Sequence, residues 1–267
     1  MKKKSKKIPS VAIIAGIIVA VIAFSALVIH NYKTKTSIKN AEATSESQTT
    51  ESSTHEDAVI AATNSNKPDA EAVNEARKNS PILKISESDV ILGDKAAPVT
   101  IIEYASLSCP HCSAFHHEAL ERLKAEYIDS NKVKFIYRNF PLNQPALAAA
   151  MFVNCQTQDH KAESSEKYYN LIKALFKTQD SWAFDPKYIE KLQSIAQLDG
   201  MSAERFTACI NNHDLQEKIL SRRMEASKEL QIQSTPTFFV NGEIIEGYID
   251  YLSIKKVVDR KLGIEAK

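Results

Sequence analysis

Net charge is almost absent from this chain. Over 267 residues, 34 Lys+Arg stand against 33 Asp+Glu, which leaves +1. So close a balance gives no global field for nucleic acid or for an acidic partner. Cysteine is scarce too, at 4 residues, too few for a small domain stapled by disulfides. Long hydrophobic runs are missing beyond residue 30. With 43% hydrophobic residues the chain is neither wholly disordered nor a polytopic membrane protein. There is no internal repeat and no second Cys-x-x-Cys. The length allows one large domain or two small ones.

The near-zero charge is a sum over unlike segments. Residues 1–10 form a basic segment with five lysines (Lys2, Lys3, Lys4, Lys6, Lys7) and no acid. Residues 11–29, Val11 to Ile29, carry no charge and only Gly16 and Ser25 as interruptions. At roughly 1.5 Å per residue this is about 28 Å of helix, close to the hydrocarbon thickness of a bilayer. Two readings compete: an uncleaved transmembrane anchor, or a signal peptide cut near Ala23-Phe24-Ser25. A cleaved signal has a shorter apolar core, and Ala23-Phe24-Ser25 lies inside the run. The lysines before the span hold the N-terminus in the cytoplasm. Lys33, Lys35 and Lys39 after it weaken that asymmetry without reversing it. Everything beyond residue 30 is therefore expected on the extracytoplasmic or periplasmic side.

Residues 30–80 read as a tether with a net charge of −2, dominated by Ser, Thr, Ala, Glu, Asn and Lys. Few large apolar residues are available to offset the entropy of ordering. A short helix over 69–78 is compatible with its Ala, Glu and Arg. The folded part is expected over 81–267, again at −2, and can bury one sizeable core.

Within it, Val99 to Tyr104 is a β-branched run after Pro98 and reads as a strand. From Cys109 to about Ile128 apolar residues recur at helical spacing: Phe115, Ala119, Leu123, Tyr127. Val133 to Arg138 alternates again as a second strand. A strand–helix–strand unit of this length implies parallel pairing through a right-handed crossover. Residues of about 145–233 are helical in pattern throughout, with start signals at Asp185-Pro186 and, more weakly, Ser202 with Arg205. Then Thr237 to Val240 and Glu243 to Glu246 flank Asn241-Gly242, a strong hairpin signal. Asp250 to Leu262 reads as a final amphipathic helix. The fold class is α/β with a helical domain inserted between a β-α-β half and a β-β-α half.

Cys109-Pro110-His111-Cys112 follows a strand and opens a helix. Free backbone N–H groups and the dipole at a helix N-terminus favour an anion, so Cys109 is expected as a stabilised thiolate. Pro110 loses nothing in the first turn, and His111 can add electrostatic support. Cys112 is in reach to close a disulfide with Cys109 or to resolve a mixed one. A stabilised thiolate favours the dithiol, which makes the disulfide an oxidant. Other readings stand beside this one. Cys-x-x-Cys is half of many zinc sites, with His116 and His117 close by, although structural zinc needs four ligands and solvated helix-face histidines are the simpler account of that pair. Copper handling by Cys109, His111 and Cys112 is another, and an inert structural disulfide a third.

The Cys-Pro-His-Cys unit, with Ser234-Thr235-Pro236-Thr237-Phe238-Phe239-Val240-Asn241-Gly242 further on, resembles the thioredoxin superfamily. The likeness is closest to the DsbA-like thiol:disulfide oxidoreductases and covers residues 81–267. It implies a thioredoxin-like fold with a helical insertion, and an activity that gives the Cys109–Cys112 disulfide to exported proteins. Pro236 matches the family's cis-proline, next to which the Thr235 backbone would pair with a bound peptide; the alternative is a trans proline that starts a strand. Glu103 matches a buried acid that helps move the proton of the second cysteine; the alternative is an ordinary charged strand residue. Cys155 and Cys209 match a second disulfide found in the helical domain of some members, against two buried free thiols. The resemblance implies no cofactor beyond the redox disulfide and no metal. It implies unfolded or reduced exported proteins as substrates and a DsbB-like or VKOR-like membrane protein as reoxidant. A reductase or isomerase on the same scaffold is the competing activity, and a non-enzymatic metal carrier or holdase the third. No dimerisation segment precedes the fold, which argues against a DsbC-like isomerase.

Overall fold

The structure is a computed structural model that describes residues 70–158, 164–247 and 250–264. The basic segment, the apolar run 11–29 and most of the expected tether lie outside the described residues. Among the described residues no helix is long and apolar enough to cross a membrane.

The last residues assigned to the tether are ordered as helix α1 (Ala70–Lys78). Arg77 reaches Gln231 (3.4 Å) and Glu246 (3.6 Å). The folded part therefore begins before residue 81, because a short helix gains enough from docking to be held. A single 3-10 turn (Pro81–Leu83) follows.

Five strands form one sheet: β1 (Ile91–Leu92), β2 (Val99–Ala105), β3 (Val133–Asn139), β4 (Thr237–Val240) and β5 (Glu243–Glu246), in the order β1-β3-β2-β4-β5. β2 and β3 run parallel, with Glu103 opposite Tyr137, as a strand–helix–strand crossover requires. β4 lies antiparallel on the other side of β2, with Phe238 opposite Glu103. The β4–β5 turn has Asn241 at φ 46° and Gly242 at φ 83°, the left-handed pair that a tight hairpin needs. Gly242 is also required by space, since a Cβ there would sit 2.9 Å from the Lys78 carbonyl oxygen.

The crossover begins with α2 (Pro110–Ala114) and continues through a π-helical turn (Phe115–Ala119), α3 (Leu120–Leu123) and a second π turn (Lys124–Ile128). The insertion holds α4 (Gln144–Gln158), α5 (Ser164–Lys177), a 3-10 turn (Gln179–Ser181), α6 (Tyr188–Leu198), α7 (Ala203–Ile210) and α8 (His213–Glu229). α9 (Tyr251–Leu262) closes the fold, its first turn capped by Asp250 accepting from Ser253 N at 2.8 Å. Ser202 caps α7 as expected, accepting from Arg205 N at 3.2 Å. Asp185-Pro186 does not start a helix directly. Asp185 accepts from Lys187 N at 2.7 Å in a turn, and α6 begins at Tyr188.

Strand alternation sets what each face of the sheet meets. Ile101 and Ala105 of β2 pack with Cys112 and Phe115, together with the insertion's Phe152 and Phe176. Ile102 and Tyr104 face the other way, onto Ala226, Leu230 and Ile232. Glu103 shares the first face by the same alternation, so its carboxyl lies on the side of the cysteines.

Candidate active site

Cys109 sits at the N-cap of α2 in extended backbone (φ −87°, ψ 120°), with Pro110 as the first helical residue. Cys109 is nearly buried, 6% exposed as a residue, and Cys112 is wholly so. Both are free thiols, so the structure holds the dithiol state.

Five influences act on Cys109. The largest is a hydrogen bond from the Cys112 thiol, which favours the thiolate, while burial opposes it. The Thr235 side chain and the backbone N–H groups of Cys112 and His111 then add to the first effect. Together they bring the Cys109 pKa down from 9 to about 5. Cys112 is pushed the other way. Burial raises its pKa well above 9, and the hydrogen bond it gives to Cys109 and the charge of Glu103 work in the same direction. One cysteine is thus prepared to be an anion and its neighbour to stay protonated.

The Thr235–Pro236 bond is cis. The Thr235 carbonyl oxygen accepts from Cys109 Sγ at 3.3 Å. Its hydroxyl is buried and has no other hydrogen-bond partner, which leaves it to donate to the Cys109 sulfur when that is ionised. The chain thus brings together Cys109, Cys112, Thr235 and Pro236, far apart in the sequence, because antiparallel β2 and β4 pair Tyr104 with Thr237 and so place both segments at one end of the sheet. His111 is exposed, one residue into the helix. Its backbone N–H favours the Cys109 thiolate.

Glu103 is completely buried. Burial raises its pKa, and the adjacent His116 works against that rise. Its Oε2 lies 2.7 Å from His116 Nε2, and its Oε1 has no partner. This corrects the reading of both histidines as solvated. His117 is exposed, but His116 is only 4% exposed and lies among Phe135, Tyr137 and Phe176. The available signal was spacing. His116 follows Cys112 by four residues, which on a helix puts it on the same face.

Gln179 had no signal in the sequence. It lies in the 3-10 turn after α5, 4% exposed, and its Nε2 donates to the carbonyls of Leu107 (2.8 Å) and Cys109 (3.1 Å). Cys155 and Cys209 stand apart from this site. They form a disulfide between α4 and α7 with a Cα–Cα distance of 5.8 Å. Among the described residues no group of three or more His, Cys, Asp or Glu is placed to hold a metal ion.

Comparison with known proteins follows the same lines. The family model described as Thioredoxin matches residues 85–260. A crystal structure of alpha-DsbA1 from Wolbachia pipientis superposes with a TM-score of 0.63 at 34% identity, covering 72% of this chain and 96% of that one. The chain belongs to the DsbA-like family of the thioredoxin superfamily. A putative protein-disulfide oxidoreductase of Rickettsia typhi is 36% identical over 185 residues, 69% of this chain and 66% of that protein. This DsbA-like chain therefore spans about two thirds of that relative's length. A probable disulfide bond formation protein D of Bacillus cereus is 28% identical over 64% of this chain and 77% of its own length.

Proposed function

We propose that this protein is a thiol:disulfide oxidoreductase working as a dithiol oxidase, which gives its Cys109–Cys112 disulfide to exported proteins as they fold. The observation that carries this reading is the split between the two thiols, Cys109 brought down to about 5 and Cys112 raised. Stabilising the Cys109 thiolate stabilises the reduced form, and a pair with a stabilised reduced form tends to hand its disulfide on. The names of the relatives, protein-disulfide oxidoreductase and disulfide bond formation protein D, agree with it.

In the proposed cycle a substrate thiolate attacks Cys109 Sγ, the sulfur nearest the surface. The Cys109–Cys112 bond breaks and Cys112 leaves. A second substrate thiolate then attacks the substrate sulfur of the mixed disulfide, Cys109 leaves as a thiolate, and the substrate is oxidised. The Thr235 backbone beside the cis bond would pair with the substrate peptide strand-fashion. Leu142 and Phe184, 48% and 61% exposed, offer apolar surface for an unfolded chain. The reduced enzyme then needs a reoxidant, and a DsbB-like or VKOR-like membrane protein is proposed for it.

The proposed location is the extracytoplasmic face of the membrane, held by the N-terminal apolar run or released by its cleavage. The Cys155–Cys209 bond supports it, because disulfides persist in oxidising compartments. The experiment is refolding of reduced, denatured ribonuclease with catalytic amounts of the oxidised domain. Acceleration that disappears in Cys109→Ser is expected. No acceleration, with a reduction potential near the roughly −270 mV of a thioredoxin-type reductant, would move the assignment to a reductase.

A further inference from the structure

Cys112 is wholly buried, yet the proposed cycle makes it a leaving thiolate that must gain a proton, and in reverse an attacking thiol that must lose one. Glu103, on its face of the sheet, is equally buried. A proton that Glu103 gives up has to be replaced from solvent. His116 offers a way. Its Nε2 is 2.7 Å from Glu103 Oε2, while Oε1 stays unpartnered and available to a second group. His116 also lines a cavity of about 430 Å³ whose lining contains the half-exposed Lys173–Glu121 ion pair. None of Cys109, Thr235 or Pro236 lines that cavity.

We propose that His116 is the outer member of a proton relay, Cys112 to Glu103 to His116, that opens to solvent through this cavity, away from the substrate side. The inference rests on the thiol–disulfide exchange proposed above and adds a path to it. When the substrate thiolate attacks Cys109 Sγ, the Cys109–Cys112 bond breaks and its electron pair leaves on Cys112 Sγ. That sulfur takes the proton of the Glu103 carboxyl group. Glu103, now a carboxylate, takes the Nε2 proton of the His116 ring as water in the cavity passes one to the other ring nitrogen. The reverse reaction runs the same transfers backwards. No other oxidant or reductant enters.

His116 touches neither substrate nor the reacting sulfurs. It is a positioning residue that acts through Glu103. The groups that bear on it come from every element around it: Glu103 on β2, Tyr137 on β3, Cys112 on its own helix, and Tyr169, Glu166 and Lys173 on α5, with Glu121 and Lys124 at the cavity. Tyr169 is not a relay candidate, since its hydroxyl already bonds the carbonyls of Val90 (2.8 Å) and Phe135 (3.0 Å) and accepts from Tyr137 N (3.1 Å). Tyr137 is committed to the Ala105 carbonyl at 3.3 Å. Of the aromatic groups around the buried acid, this leaves the imidazole, whose two ring nitrogens can take up a proton on one side and release one on the other.

The test measures reduction of the oxidised domain by dithiothreitol against pH, by rapid alkylation, with the rate divided by the dithiothreitol thiolate fraction. His116→Phe fills the space without carrying a proton, and His116→Gln keeps a hydrogen bond to Glu103 without relaying one. Both are expected to lower the corrected rate by about tenfold or more, as loss of a positioned acid–base group does. The Cys109 thiolate titration should stay where it is, and added imidazole should restore the rate of His116→Ala. If His116→Phe does not fold, His116→Gln carries the same reading. Rates and pH profiles like wild type in the folded variants would overturn the relay, as would a rate loss in His116→Ala that imidazole does not relieve. Failure of the oxidase reading would appear separately, as absent ribonuclease refolding by the wild-type domain.

Discussion

Gln179 holds Cys109 in place from outside the thioredoxin half of the fold. Its side-chain amide donates to the Cys109 carbonyl at 3.1 Å and to Leu107 at 2.8 Å. The helical insertion is therefore tied to the residue that starts the reactive helix. The Cys109 carbonyl also accepts from Ser113 N at 3.1 Å, the first bond of the reactive helix, whereas the Leu107 carbonyl lies where the chain leaves β2 and takes its hydrogen bond from Gln179. Replacing the amide with a carbon chain of similar size leaves the Leu107 carbonyl without this donor and takes the second of two donors from Cys109.

Gln179→Leu should destabilise the domain by about 1–3 kcal/mol, the cost of leaving the buried Leu107 carbonyl unpaired. Denaturant midpoints with an unchanged slope would register it. Gln179→Glu should cost more, because a carboxylate would face two carbonyl oxygens. Wild-type stability in both variants would mean that the clamp has no energetic consequence.

Two substitutions separate the influences on the Cys109 thiolate. The Cys112 hydrogen bond is the largest of them and the Thr235 side chain a smaller one. Cys112→Ala should therefore raise the Cys109 pKa from about 5 by roughly one to two pH units. Thr235→Val, which removes only the hydroxyl, should raise it by less. Ultraviolet absorbance of the thiolate against pH gives both values. A larger rise in Thr235→Val than in Cys112→Ala would reverse the ranking.

Most of this site could be read from residue order, and what could not be read has physical reasons. β2, β3, β4 and β5 announce themselves by β-branched runs and the Asn241-Gly242 turn. β1, at two residues, is too short to show alternation and pairs only at the sheet edge, Ile91 with Ile136. Cys109, Cys112 and Pro236 are legible because their chemistry depends on fixed spacing from a helix start or a strand start. His116 was obscured by its neighbour. His116-His117 looks like a polar pair, and burial of one member is decided by packing against Phe135, Tyr137 and Phe176. Gln179 meets Cys109 across 70 positions, and a lone glutamine between helices carries no local pattern.

The Cys155–Cys209 bond should matter for stability and not for redox chemistry. It closes a span of 54 residues between α4 and α7, for which loop-closure entropy allows about 4 kcal/mol at most. The double variant Cys155→Ser, Cys209→Ser should lose about 2–4 kcal/mol, the range for native bridges. Its Cys109 pKa should remain near 5, because no insertion cysteine touches the site. A large shift in that pKa would show that the bridge also shapes the reactive helix.

The reduced protein should gain stability as pH rises from about 5 to 9. The sign follows from Cys109. Its folded pKa, about 5, lies below its ordinary value of 9, so within that window the unfolded chain holds a proton that the folded one has released. Stability from this group is complete above the unfolded value and is lost as pH falls through the folded one. Cys112 opposes it only above 9, where the unfolded thiol ionises and the folded one does not. Glu103, raised by burial, opposes it at the acid end, where the unfolded carboxyl ionises first. Comparing wild type with Cys109→Ser, both reduced, cancels those two contributions to first order. The difference in melting temperature should widen from pH 5 toward pH 9 and then level off, with a span of a few kcal/mol at most because water partly screens the sulfur. Oxidised wild type, in which neither cysteine titrates, should lack that pH-dependent increment. A constant gap between reduced wild type and Cys109→Ser across the window would mean that the Cys109 thiolate is not stabilised by the fold, and the oxidase reading would lose its physical basis.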